Sequence, residues 1–148
     1  MLNMTRDLEG KKVLVTSASS GIGLATVETL ARRGATVALN YLPKDPRDTS
    51  KIVEHLNKEG LSVRGAPGDV SLPDEVQSMV QETIQTFGGL DYLINNAGVP
   101  CTREPIPNSD LERLTEDFWH AILTTNLIAR FVAQRQRQRL SGSREVPL

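Results

Sequence analysis

Residues 13 to 23 read VLVTSASSGIG, a short run of apolar and β-branched residues that enters a Ser-rich turn holding Gly21 and Gly23. Glycines in such a turn let main chain come close to a bound group. The first amides of a helix opening there add hydrogen-bond donors and a positive dipole end. The chemistry this spacing serves is the holding of a pyrophosphate, as in a dinucleotide, with Gly21, Gly23 and the start of the helix as candidate binding residues. Other chemistry has little to draw on. Cys101 is the single cysteine, so neither a disulfide framework nor a Cys-x-x-Cys metal cluster is available, and it reads as a small loop residue. His55 and His120 each fall on an expected helix without a carboxylate or Ser at catalytic spacing, and both read as solvated. No metal site is expected.

A phosphate-holding turn needs a strand before it and a helix after it, and the chain supplies both repeatedly. Lys12 to Thr16 is an apolar run too short for a helix, and residues 22 to 33 then place Ile22, Ala25, Leu30 and Ala31 on one helical face before Gly34 closes the helix. Ala35 to Tyr41 reads as a second strand, followed by a helix carrying Ile52, Val53 and Leu56 and ended by Gly60. Leu61 to Ala66 is a third strand. Ser71 reads as the N-cap of a helix with Val76, Val80, Ile84 and Phe87 at helical spacing, stopped by Gly88-Gly89. Leu90 to Ile94 is a fourth strand, and a long Pro-containing loop leads to a helix from about Thr115. The alternation calls for an α/β fold, a Rossmann-like doubly wound parallel sheet truncated after the fourth strand and the following helix. In such a sheet the turn after the first strand faces the ligand crevice.

Composition agrees with one soluble domain. The chain has 148 residues, 39% of them hydrophobic, and a formal net charge of −1, which gives no case for nucleic-acid or membrane partners. No apolar run approaches the ~20 residues of a membrane span, and no basic start precedes an apolar leader, so a cytoplasmic location is expected.

Four segments in register carry a resemblance. Thr16-Ser17-Ala18-Ser19-Ser20-Gly21-Ile22-Gly23, Asp69-Val70, Asn95-Asn96-Ala97-Gly98 and Asn126 within TTNL are similar to the successive markers of the short-chain dehydrogenase/reductase family, over roughly residues 9 to 133. The resemblance is to NADPH-dependent reductases of carbonyl or 3-oxoacyl substrates. It implies that Ser19, Ser20, Gly21, Ile22 and Gly23 cradle the pyrophosphate. Asp69 and Val70 contact the adenine end, and Asn96, Ala97 and Gly98 border the cofactor ribose and steady the sheet. By the same resemblance Asn126 is the catalytic-site Asn whose main chain holds a water in the proton relay, and the substrate is a small carbonyl or alcohol.

At the end of the second strand, Asn40 and Tyr41 bring no carboxylate to repel a 2′-phosphate, and Arg33, Lys44 and Arg47 lie near in sequence, so NADP(H) rather than NAD(H) is expected. Two departures stand against the family pattern. Ser17 replaces the first Gly of the turn, a strain of roughly 1 to 2 kcal/mol if the backbone there has positive φ. The family's Ser and Tyr-x-x-x-Lys are absent: the only tyrosines, Tyr41 and Tyr92, are followed four residues on by Asp45 and Asn96. The expected function is thus an NAD(P)-dependent oxidoreductase that reduces a carbonyl or oxidises an alcohol by hydride transfer, catalytically impaired as written. The alternative is a non-catalytic dinucleotide-binding or scaffold protein.

Residues 1 to 133 are expected as the dinucleotide-binding domain, C-terminally incomplete, and residues 134 to 148 as a basic, disordered tail, because alternating Arg and Gln cannot bury a helical face. Self-association is expected through the edge of the fourth strand or the last helix.

Overall fold

The computed structural model describes residues 5–100, 102 and 104–140. Cys101 and residues 141–148 of the expected tail lie outside the described residues. Four strands, β1 (Lys12–Val15), β2 (Thr36–Tyr41), β3 (Ser62–Pro67) and β4 (Tyr92–Ile94), form one parallel sheet in the order β3-β2-β1-β4. Val15 lies level with Leu39 of β2 and with Ile94 of β4, so the carboxyl ends of these three strands come together. β1 is the strand from which the order runs outward in both directions, and the crevice of a doubly wound sheet opens at that reversal.

Helices cover both faces, which is why the inner strands are continuous apolar runs rather than alternating ones. On one face α1 (Gly21–Arg32) and α2 (Thr49–Lys58) pack Val27 and Leu56 against Val13, Val15, Val37 and Leu39. On the other, α3 (Pro73–Phe87) and α5 (Ala129–Leu140) pack Val76, Val80 and Ala133 against Leu14 and Ala38. Between β4 and α5 lie a single 3-10 turn (Leu111–Arg113), α4 (Glu116–Leu123) and a π-helical segment (Thr124–Ile128) that joins α4 to α5. Thr115 caps α4, its Oγ1 accepting from the Phe118 amide at 3.2 Å.

Three sequence expectations are corrected in detail. The buried face of α1 is Gly23, Val27 and Ala31, with Leu24 and Leu30 partly buried, whereas Ile22 and Ala25 are exposed. The close seating of Gly23 against the preceding turn, described below, fixes the rotation of the helix. Ser71 does not cap α3: Pro73 takes the first helical position, Leu72 stands at the cap with extended backbone, and Ser71 turns back to donate from its amide and hydroxyl to Asp69 Oδ1 at 2.8 and 2.7 Å. Finally, α5 runs through Leu140, so Gln134 to Leu140 are helical rather than a tail. Arg137 fastens this end by donating to the carbonyls of Leu90 and Asp91 ahead of β4.

Among the described residues β4 pairs only with β1, leaving its other edge open, and Tyr92 is exposed. Trp119, Leu123, Leu127 and Phe131 recur every four residues along α4, the π segment and α5, and all four are exposed. Among the described residues no helix is long and apolar enough to cross a membrane.

Candidate functional site

The site is assembled where β1 ends. Ser17 enters the left-handed region with φ 51°, the one described non-Gly residue to do so. The structure therefore places the strain where the sequence departs from the family pattern. Two asparagines hold this conformation. Asn40 Oδ1 accepts from the Ser17 amide at 2.9 Å, and Asn96 Nδ2 donates to the carbonyls of Thr16 and Ser17, both at 3.0 Å. Thr16 Oγ1 accepts in turn from the amides of Asn96 and Ala97 at 3.0 Å. The segment after β4 is thus laced to the turn after β1.

Gly23 explains its own identity. A Cβ there would lie 2.7 Å from Asn96 Nδ2 and closer still to the Ser17 carbonyl, so α1 can approach the turn only through a residue without a side chain. Gly21 has φ 55° and open space around the position of a missing Cβ, leaving its backbone free on the crevice side. Ser20 is the N-cap of α1 yet makes no side-chain capping bond. The donors of the first helical turn therefore meet no side-chain acceptor, and Ile22 beside them is 80% exposed. Open amides, bare backbone at Gly21 and Gly23 and the positive end of a helix fit a pyrophosphate.

The other expected contacts divide into those that face this crevice and those that support it. Asn40 is buried and its side chain is fully engaged, since Nδ2 also donates to the carbonyls of Ala66 and Gly68 at 3.0 Å. It stitches the turn to the end of β3, and so positions the turn through its side chain. Tyr41 lays its ring against Gly65 and lines a groove with Thr49, Val53 and Asn57, away from the Gly-rich turn. Asp69 and Val70 follow β3. Asp69 accepts from Ser71, its amide donates to Glu75 Oε2 at 2.7 Å, and Val70 packs under the sheet with Val76 and Met79. Ala97 is buried and Gly98 exposed, where a Cβ would come within 3.1 Å of Asn126 Oδ1. Asn126 sits in the π segment and clamps Val99 from both sides, Oδ1 accepting from its amide and Nδ2 donating to its carbonyl, each at 2.9 Å.

The cations are not equivalent. Arg33 stands at the far end of the 12-residue α1, about 18 Å from its start, and is paired with Asp7. It is thus distant from the Gly-rich turn at the start of that helix. Arg47 does reach the turn. Its Nε and Nη2 donate to the two oxygens of Asp45, each at 2.8 Å, and its Nη1 donates to Ser20 Oγ. Asp45 also accepts from Ser19 Oγ at 2.7 Å and from the Arg47 amide at 2.9 Å. The Arg47 guanidinium, with its amide and then the Ser19 hydroxyl, holds the Asp45 carboxyl well below the usual carboxylate range. Nothing in local periodicity reveals this cluster, because Ser19 and Asp45 are 26 residues apart and meet only when β2 lies beside β1. The signal available was the charge pair two residues apart in Asp45-Pro46-Arg47.

Comparison with known proteins agrees with the geometry. Residues 11–140 match the family described as short chain dehydrogenase. The chain is 37% identical over 117 residues to the 3-oxoacyl-(acyl-carrier-protein) reductase FabG of Staphylococcus aureus, covering 79% of this chain but 45% of that one. It is 42% identical over 107 residues to the short-chain dehydrogenase/reductase homolog YusS of Bacillus subtilis, covering 72% of this chain and 94% of YusS. A short chain dehydrogenase of Burkholderia cenocepacia, solved in complex with NADP, superposes with a TM-score of 0.76 at 35% identity over 89% of this chain and 51% of its own. The chain thus spans about half the length of the FabG relative and of that solved structure.

Proposed function

The chain belongs to the short-chain dehydrogenase family, and on that premise we propose that its residues seat NADP(H) across the carboxyl ends of β1, β2 and β4. The observation that carries this is the uncapped, glycine-lined start of α1, held open by Asn40 and Asn96. Ser19, Ser20, Gly21, Ile22 and Gly23 would hold the pyrophosphate, Asp69 and Val70 the adenine end, and Asn96, Ala97 and Gly98 the border of the ribose. When bound, the nicotinamide supplies or accepts the hydride exchanged with a carbonyl or an alcohol, the substrate class that the name of the FabG relative suggests. Asn126 fixes the backbone at Val99, at the entrance to the long loop, and so shapes the wall of the reacting end.

A positioned proton donor is worth roughly two to four powers of ten in rate. The 148 residues hold no Tyr followed four residues on by Lys, so on their own they bind the cofactor and turn over substrate feebly. Titration calorimetry of the folded chain with NADPH and with NADH tests this. Saturable binding with NADPH preferred is the expected result, and a folded chain that takes up neither cofactor removes the reading.

We also propose that the 148-residue chain associates with itself through the open β4 edge and the stripe of Trp119, Leu123, Leu127 and Phe131. Light scattering is expected to show more than one chain per particle, and a single monomeric species at working concentration would refute it.

A further inference from the structure

We propose that Arg47, oriented by Asp45 and steadied on Ser20, is the residue that reads the cofactor's 2′-phosphate and sets the preference for NADPH over NADH. This rests on the dinucleotide-binding reading and goes further, since it assigns selectivity to one side chain. Among the cations near this end of the sequence, Arg33 is committed to Asp7 beyond the other end of α1, whereas Arg47 is the one hydrogen-bonded to the phosphate-holding turn. In a doubly wound sheet the adenosine ribose lies between that turn and the end of β2, where an acidic side chain takes a 2′-hydroxyl or an Arg accommodates a 2′-phosphate. Ser19 and Ser20 come from the first of these elements and Asp45 and Arg47 from the loop that follows the second, so the cluster bridges that place.

The geometry decides between the two kinds of reader. The Asp45 side chain is 4% exposed and accepts four hydrogen bonds, from Ser19 Oγ and from the Arg47 amide, Nε and Nη2. Little of it is left to take ribose hydroxyls. The Arg47 side chain is 51% exposed. Its fork toward Asp45 uses Nε and one hydrogen of Nη2, and Ser20 takes one hydrogen of Nη1, which leaves two of the five N–H groups without a partner among the described residues. A half-exposed guanidinium with two N–H groups to spare, fixed in advance by a buried carboxylate, suits the recognition of a phosphate monoester. Holding the fork in place also spares the ordering cost that a free Arg side chain meets on binding.

The test is calorimetric titration of the full chain and its Arg47→Ala and Arg47→Lys variants with NADPH and with NADH, after circular dichroism shows that each is folded. Removing a charge-assisted pair of hydrogen bonds to phosphate is expected to raise the Kd for NADPH about 10-fold or more in Arg47→Ala, with the Kd for NADH within about twofold. Arg47→Lys is expected to fall between, because a point charge replaces the fork. Loss of affinity for both cofactors in equal measure, no change for NADPH, or a parent chain that binds NADH more tightly would each overturn the assignment while leaving dinucleotide binding intact. A folded parent chain that binds neither would remove the assignment together with the reading beneath it.

Discussion

The helices over the two faces of the sheet differ in what they turn outward. On the α1 and α2 face the strand residues Val13, Val15, Val37 and Leu39 are shut off from solvent, and the helices over them come from consecutive strand-helix-strand units. On the other face α3 and α5 bury Leu14 and Ala38, while the helical run from α4 into α5 turns a row of large apolar side chains outward, Phe131 at 65% exposure among them. The expected binding residues follow the same division. The turn that would hold the phosphates stands on the closed face, tied by side chains to β2 and to the segment after β4. Asn126, which clamps Val99, belongs to the helical run on the open one. A closed core supports a pre-organised turn, and an open flank leaves surface for association.

Substitutions can break this contrast. The largest effect is expected from Leu39→Ala, which removes a fully buried side chain from the closed face and should cost about 2 to 5 kcal/mol in chemical denaturation. Leu127→Ala on the open face should stay within about 0.5 kcal/mol while lowering the apparent mass in light scattering. Equal costs at the two positions would erase the distinction. Next comes Gly23→Ala, whose added methyl meets the Ser17 carbonyl and Asn96. The overpacking should cost about 1 to 3 kcal/mol and abolish NADPH binding in calorimetry.

Smaller and of opposite sign is Ser17→Gly. It relieves the left-handed strain against a greater loss of chain entropy on folding, so a net gain of about 0.5 to 1 kcal/mol in the denaturation midpoint is expected. A loss there would mean that the Ser17 hydroxyl does something in the turn that its backbone does not.

The smallest effect is acid sensitivity. Asp45 is lowered by Arg47 and Ser19, and Asp48 is lowered to about 2 by Ser50 and Lys51. A depressed carboxyl stabilises the fold above its ordinary pKa near 4, and that contribution is lost as pH falls through the folded value. Stability should decline from about pH 4 downward, and Asp45→Asn should flatten the decline.

Much of this architecture could be read from residue order, because each unit is local: a β-branched run, a turn, an apolar helical stripe and a Gly at its end. Gly34, Gly60 and Gly88 each stand at the close of a helix as expected. What escaped reading depends on chain segments far apart. Asn40 looks like a strand-end residue open to ligand until β3 arrives beside it and takes both its amide hydrogens. Asp45 and Arg47 look like surface charges until Ser19 and Ser20 are brought to them. Gln134 to Leu140 lack an apolar period, yet Ala133 and the reach of Arg137 to two carbonyls hold the helix against its neighbours. Ser71 failed for a local reason, since Pro73 at the first helical position moves the cap to Leu72.

The π segment Thr124–Ile128 acts as a one-residue phase shifter within a long rod. An α-helix advances about 100° per residue, so the extra residue rotates everything after it relative to everything before it. Upstream of the shift, Thr115 caps the first turn of α4. Downstream, Ala129 and Ala133 face α3, and within the segment Asn126 meets Val99. An uninterrupted helix of the same length could satisfy one of these orientations but would miss another by about a quarter turn. Deleting a single residue between Thr124 and Ile128 would therefore act at a distance, sending either the clamp on Val99 or the small-residue face of α5 to solvent without touching a side chain of either.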